Sequence, residues 1–92
     1  MTVEVTHDAE KHQFTANIDD NIGSLKYKIL DSTVWEYYST FVPPNLRGKG
    51  VAQALAKYAL SYAKDNNLKI KPTCSFIKTY IDGHPEYRSL LL

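Results

Sequence analysis

Val42-Pro43-Pro44-Asn45-Leu46-Arg47-Gly48-Lys49-Gly50-Val51-Ala52-Gln53-Ala54-Leu55 is the stretch on which the fold turns. The residues leading into it, Val34 to Val42, are aromatic and β-branched, the composition of a central strand. Pro43 and Pro44 stop that strand, because neither carries an N–H for a ladder. From Gly48 the apolar period becomes helical. Val51, Ala52, Leu55, Ala56, Ala59, Tyr62 and Ala63 fall on one stripe, and Lys49, Gln53, Lys57 and Lys64 on another. A glycine-rich loop therefore lies between a strand and a helix. Glycines there let a ligand approach the backbone, and the first helical turn offers unpaired N–H groups and a partial positive charge. With Arg47 and Lys49 beside it, the segment fits a small polyanion such as a pyrophosphate.

Two better-known phosphate loops do not fit. The P-loop needs a Gly-Lys-Ser/Thr triplet four residues after its first glycine, and none is present. The dinucleotide fingerprint needs a third small residue where Gln53 stands, inside a parallel unit. A lone Gly-x-Gly also suits a plain tight turn before a helix, so the loop by itself leaves both readings open.

Upstream, the chain reads as strands. Thr2 to Thr6 is β-branched, and His12 to Ile18 places Phe14, Ala16 and Ile18 at period two. Ile22 to Leu30 sets Leu25, Tyr27 and Ile29 on one face and Lys26 and Lys28 on the other. Asp19-Asp20-Asn21 and Asp31-Ser32 are turns between them. Connections this short make an antiparallel meander. Downstream, the helix should end near Asn66-Asn67, since Asn tolerates the left-handed cap. Lys69 to Cys74 reads as a fifth strand, with Leu68, Ile70 and Pro72 on one face. Phe76 to Ile81 reads as a short helix stopped by Gly83 and Pro85, and Glu86 to Leu92 as a tail with a further helical turn. The expected fold is α+β: a mixed, mostly antiparallel five-stranded sheet, one long helix between strands four and five, and short C-terminal helices. That helix permits parallel pairing of strands four and five.

Ninety-two residues suit one domain, 1–92. The 43% hydrophobic and 23% charged composition is that of an ordinary globular protein rather than a disordered one. Net charge is +1 but unevenly spread. Three lysines against seven carboxylates leave residues 1–36 at −4, and eight basic against three acidic groups leave residues 37–92 at +5. The positive half holds the glycine loop, which suits a polyanion of small size. A single cysteine, Cys74, excludes an internal disulfide framework and fits a cytoplasmic setting. There is no charged-then-apolar leader and no apolar run near the roughly 18 residues a membrane span needs, so neither secretion nor a membrane partner is expected. His7, His12 and His84 share no metal-ligand spacing, so no metal is expected, and His7 and His12 read as surface residues. No interleaved basic and aromatic sheet face stands out, so nucleic acid is not expected as a partner.

Val42 to Ala52 resembles the acyl-CoA signature of the GCN5-related N-acetyltransferase (GNAT) superfamily: Gln or Arg, two free positions, Gly, one free position, then Gly or Ala, after an extended strand. Gly48 and Gly50 match, while Asn45 takes the Gln/Arg position. Pro72-Thr73-Cys74-Ser75 and His84-Pro85-Glu86-Tyr87 add two spaced motifs. Together the three resemble the short, single-domain YjdJ-type branch of GNAT-like acetyltransferases.

The resemblance implies acetyl-CoA as cosubstrate, held in a splay between strands four and five. Thr40, Phe41 and Val42 would meet the pantetheine arm, and Asn45, Arg47, Gly48, Lys49, Gly50 and Val51 would hold the pyrophosphate. The acetyl group would lie near Glu36, Tyr37 and Tyr38 on one side and Cys74 on the other. It implies transfer to an unidentified amine, with Cys74 as a candidate acyl carrier, Tyr80 as a candidate acid for the departing thiol, and His84 as a candidate base if the short helix folds back. Cys74 as a small core residue, Glu36 as a polar strand residue and the whole domain as a CoA-binding module without turnover stay open beside it. Full-size members carry helices after their first strand that wall the acceptor site. This chain has only a turn at Asp8 to Lys11. The acceptor is therefore expected to be large, such as a protein amine, or a second subunit in a homodimer to supply the wall.

Overall fold

Four strands at period two build most of a sheet, and a fifth completes it. The computed structural model describes residues 3–92. β1 (Val5–Asp8), β2 (Gln13–Ile18), β3 (Asn21–Asp31) and β4 (Val34–Phe41) pair antiparallel in sequence order, and β5 (Lys69–Lys71) adds parallel to β4. Asp19 and Asp20 both take positive φ, 49° and 65°, the twist that a two-residue hairpin needs. At the next turn the Asp31 carboxylate accepts the Thr33 N–H and hydroxyl, which holds its pKa below the ordinary carboxylate range.

The long helix α1 (Val51–Asp65) joins β4 to β5 and lies on one face of the sheet. Val51, Leu55, Ala56, Ala59, Leu60 and Ala63 are its buried residues. Alanine at three of these positions brings the helix close to the strands. At Gly23 of β3 an added Cβ would stand 3.1 Å from Val51 Cγ1, so glycine makes room for the first helical turn. α1 ends as the two asparagines imply. Asn67 is left-handed at φ 55°, and the Leu68 N–H returns to the Ala63 carbonyl at 2.9 Å in a Schellman closure. α2 (Ser75–Asp82) packs on the same face as α1, with Ile77 and Ile81 in the common core. A 3-10 segment, Pro85–Leu90, follows, and Leu91 bridges to Ile70 along the outer edge of β5. No helix among the described residues is long and apolar enough to cross a membrane.

The order and pairing of the elements are those expected, with local differences. The first strand lies at Val5–Asp8 rather than 2–6, and Thr2 is outside the described residues. β5 stops at Lys71 instead of reaching Cys74, because Pro72 has no N–H and the Thr73 N–H turns back onto the Lys71 carbonyl. Ile29 follows the alternation but is 47% exposed, although its cross-strand partner Trp35 packs against Tyr62 of α1.

His7 is a larger departure. It is half-buried, stacks on Phe14 at 4.6 Å and meets the edge of Tyr62 from α1. Its Nε2 lies 2.7 Å from the Tyr27 hydroxyl. Burial among these rings lowers its pKa from the ordinary 6.5. The unfolded chain thus binds the His7 proton more readily than the folded one. The stability tied to neutral His7 is full above pH ~6.5 and is lost as pH falls below that value and through the lower folded-state pKa. Thermal melts at pH 7.5 and 5 should show a smaller decline for His7→Gln than for wild type; equal declines would remove His7 from the effect.

Candidate active site

β4 and β5 stay together for three residue pairs and then part. Val34 pairs with Lys69, Trp35 with Ile70 and Glu36 with Lys71, and the last link is the Cys74 N–H on the Tyr37 carbonyl at 3.0 Å. Beyond it β4 runs on to Phe41 with only β3 as neighbour. Two causes drive the parting. Pro72 ends the ladder from the β5 side. From the other side, the β3–β4 register shifts: Lys26 opposes Ser39, but Tyr27 opposes Tyr37, leaving Tyr38 as an extra residue. A bulge bends its strand and re-aims the side chains after it. Here it puts Tyr37 and Thr40, three residues apart, on the same helix-covered face, opposite Tyr27 and Leu25.

The loop at the far end of this gap is held by its own backbone. Pro44–Leu46 makes one 3-10 turn, and Leu46 is buried beneath it. Arg47 Nε donates to the Val42 carbonyl at 3.2 Å. Gly48 and Gly50 sit at φ 80° and 81°, a region that L-residues enter at a cost. Gly50 caps α1 without any side-chain bond, so the amides of Val51, Ala52 and Gln53 have neither helical nor side-chain partners. A pocket of about 220 Å³ lies over them, lined by Val42, Leu46, Arg47, Gly48, Gly50, Val51, Ala52 and Gln53. Its lining has no carboxylate, and a Cβ placed on either glycine would meet nothing within 4 Å. Free amides, an adjacent guanidinium and open space fit a pyrophosphate. Asn45 and Lys49 are exposed and stand outside this lining, whereas Leu46, Ala52 and Gln53, not singled out in the sequence, belong to it.

Cys74 caps α2 at the wall of the gap. It is half-buried, and its Sγ lies 3.5 Å from Thr40 Oγ1 on the opposing strand. Nearby, the Thr73 hydroxyl donates a short hydrogen bond to the Glu36 carboxylate. Tyr80 and His84 stack at 3.9 Å near the other end of α2, and His84 Nδ1–H donates to the Tyr80 carbonyl at 2.7 Å. Burial, followed by the Tyr87 and Glu86 charges, raises the Tyr80 pKa. The fold therefore brings Cys74 to Thr40 but does not bring His84 to Cys74. The eight residues of α2 rise about 12 Å between them, and the helix does not fold back.

The family profile described as GCN5-related N-acetyl-transferase matches residues 13–90. Protein NATD1 of Gallus gallus is 32% identical over 85 residues, covering 90% of this chain and 77% of that protein. Protein NATD1 of Homo sapiens is also 32% identical over 85 residues, covering 90% and 75%. Among solved structures, the solution structure of a GCN5-like protein from Staphylococcus aureus superposes with a TM-score of 0.75 at 28% identity, covering 97% of this chain and 87% of that one.

Proposed function

The chain belongs to the GCN5-related N-acetyltransferase family, and on that footing we propose that it binds acetyl-CoA and transfers the acetyl group to an amine. The observation that carries this reading is the continuous path from the unpaired edge of β4 at Thr40 and Phe41, through Val42, to the open amides of Gly48 to Val51. Thr40 to Val42 would line the pantetheine arm, and the loop amides with Arg47 would hold the pyrophosphate. The thioester would then sit where β4 and β5 part, beside Tyr37, Tyr38 and Cys74.

The proximity of Cys74 Sγ to Thr40 favours a two-step route. The Cys74 sulfur attacks the thioester carbonyl, the carbon–sulfur bond to CoA breaks, and the CoA sulfur leaves as a thiol with the proton that Cys74 gave up. An acceptor amine then attacks the acetyl-cysteine, the new C–N bond forms, and Cys74 recovers its proton. Glu36, at the vertex of the gap, is positioned to take the amine's surplus proton through water. Tyr80 is the candidate relay, passing the Cys74 proton on to the departing thiol and ending as it began.

The expected result is a heat of acetyl-CoA binding in both wild type and Cys74→Ala. A mass gain of one acetyl group should appear only in wild type. An acetylated amine without that adduct would place the transfer in one direct step. Binding with neither adduct nor thiol release across a broad amine panel would leave a CoA-binding module, and absence of binding would overturn the proposal.

A further inference from the structure

The second face of the sheet is bare. Both helices pack on one side, and β1 is joined to β2 by a turn alone, so no helix among the described residues covers the other side. Cross-strand partners share a face, which puts Lys28 of β3, Glu36 of β4 and Lys71 of β5 in one row at the last pairing before the gap. Lys26 lies on the same face, opposite Ser39. Lys28 Nζ stands 5.0 Å from the Tyr38 ring centroid, and Phe41, farther along β4, is 52% exposed. This interleaving of lysine and aromatic side chains was not evident in the sequence. Of the acids in residues 1–36, Glu10, Asp19 and Asp20 occupy turns, while Asp31 pairs with Val34 at the end of β3 and Asp8 lies on this same face at the β1 edge, in line with Lys26 through Gln13. The face is therefore open, basic around the gap and partly aromatic, with Glu36 among the three lysines and Asp8 and Asp31 at its margins.

We propose that this face docks the acceptor as an acidic peptide segment. The peptide's lysine ammonium meets Glu36, and its flanking carboxylates meet Lys26, Lys28 and Lys71. The inference rests on the acetyltransferase reading and names its substrate class. Charge complementarity selects the occupant. A nucleic-acid strand would satisfy the lysines but would set phosphate against Glu36, whereas an ammonium amid carboxylates satisfies both signs. An open face suits an extended chain better than a small molecule, which needs enclosure. Acetylation removes the ammonium and with it the attraction to Glu36, so the product is released from the same row that held the substrate.

The test uses the full chain and a synthetic fluorescent peptide with one lysine among Asp and Glu residues. Its comparison peptides carry Asn and Gln instead, or an acetylated lysine. The acidic peptide should bind more tightly than the neutral one and lose affinity as salt rises. The triple variant Lys26→Gln, Lys28→Gln, Lys71→Gln should weaken it about tenfold. The acetyl-lysine peptide should bind more weakly than the free-lysine peptide. Equal affinity for acidic and neutral peptides, or an unaffected triple variant, would overturn the proposal. So would a single-stranded oligonucleotide binding in preference to the peptide. Equal affinity for the acetylated and free forms would overturn the placement of the amine at Glu36. Acetyl-CoA titration of the same proteins should be unchanged by the triple substitution. Failure to bind acetyl-CoA in wild type is the separate failure of the reading beneath.

Discussion

Tyr37→Ala is expected to remove about 3–5 kcal/mol of folding stability, the range for truncating a large core aromatic. Tyr37 has no exposed surface and lies in the middle of β4 under α1. Its ring meets Phe14 edge-on at 6.0 Å, and its hydroxyl donates to the Ala59 carbonyl at 2.7 Å, tying sheet to helix. Truncation would open a cavity between those two layers. A chain of 92 residues has roughly 5–14 kcal/mol in all, so the loss is a large fraction of the total. Tyr37→Phe keeps the ring and should cost only about 1 kcal/mol, the worth of one neutral hydrogen bond. Burial pushes the Tyr37 pKa far up, so its hydroxyl stays protonated across the working range and its contribution should not vary with pH. Urea denaturation with a common slope decides the matter. If Phe costs as much as Ala, the hydroxyl rather than the ring anchors β4. Tyr37 also holds the Cys74 N–H through its carbonyl, so loss of its packing should loosen the splay as well as the core.

The parts of this fold that were legible in the sequence are those with a local cause. Phe14, Ala16 and Ile18 alternate because one face of β2 is buried, and that alternation needs no knowledge of the partner strand. The α1 stripe and the Asn66-Asn67 stop are equally local. Gly48 and Gly50 were legible because left-handed backbone selects glycine. What escaped was set by partners distant in sequence. The bulge at Tyr38 exists only relative to β3, and nothing in Glu36-Tyr37-Tyr38-Ser39 marks which residue is unpaired. His7 is enclosed by Tyr62, which reaches it only when α1 docks. The basic face was hidden by the charge count of residues 1–36, because counting cannot separate acids on turns from lysines on a strand face. The motif resemblance narrowed what pattern alone left open: the loop fits any small polyanion, and the proposed reading puts the thioester-bearing arm in the gap walled by Thr40 and Cys74.

Gly50→Val is expected to weaken acetyl-CoA binding by about ten- to a hundredfold, more than any single charge at the loop. Gly50 sits at φ 81° and ψ 13° as the cap of α1. A β-branched residue is a strong outlier there, and even an unbranched one costs roughly 1–2 kcal/mol. The loop can escape that strain only by rotating to negative φ, which turns the Val51, Ala52 and Gln53 amides away from the pocket they face. Because a Cβ at this position meets nothing within 4 Å, the core is untouched, and the stability loss should stay within about 2–3 kcal/mol. Gly83→Ala is the control: its φ is −87° and its nearest neighbours stand at 3.7 Å and 3.8 Å, so both fold and binding should survive. Lys49→Ala is the contrast. Lys49 is exposed and outside the pocket lining, so its loss should cost about threefold at low salt and less as salt rises. The order of the three affinities separates two physical accounts of the loop. If backbone amides hold the pyrophosphate, Gly50→Val is the worst variant at every salt concentration. If Lys49→Ala proves worse, the loop acts through diffuse charge, its glycines serve only the chain reversal into α1, and the cradle assigned to those amides is wrong.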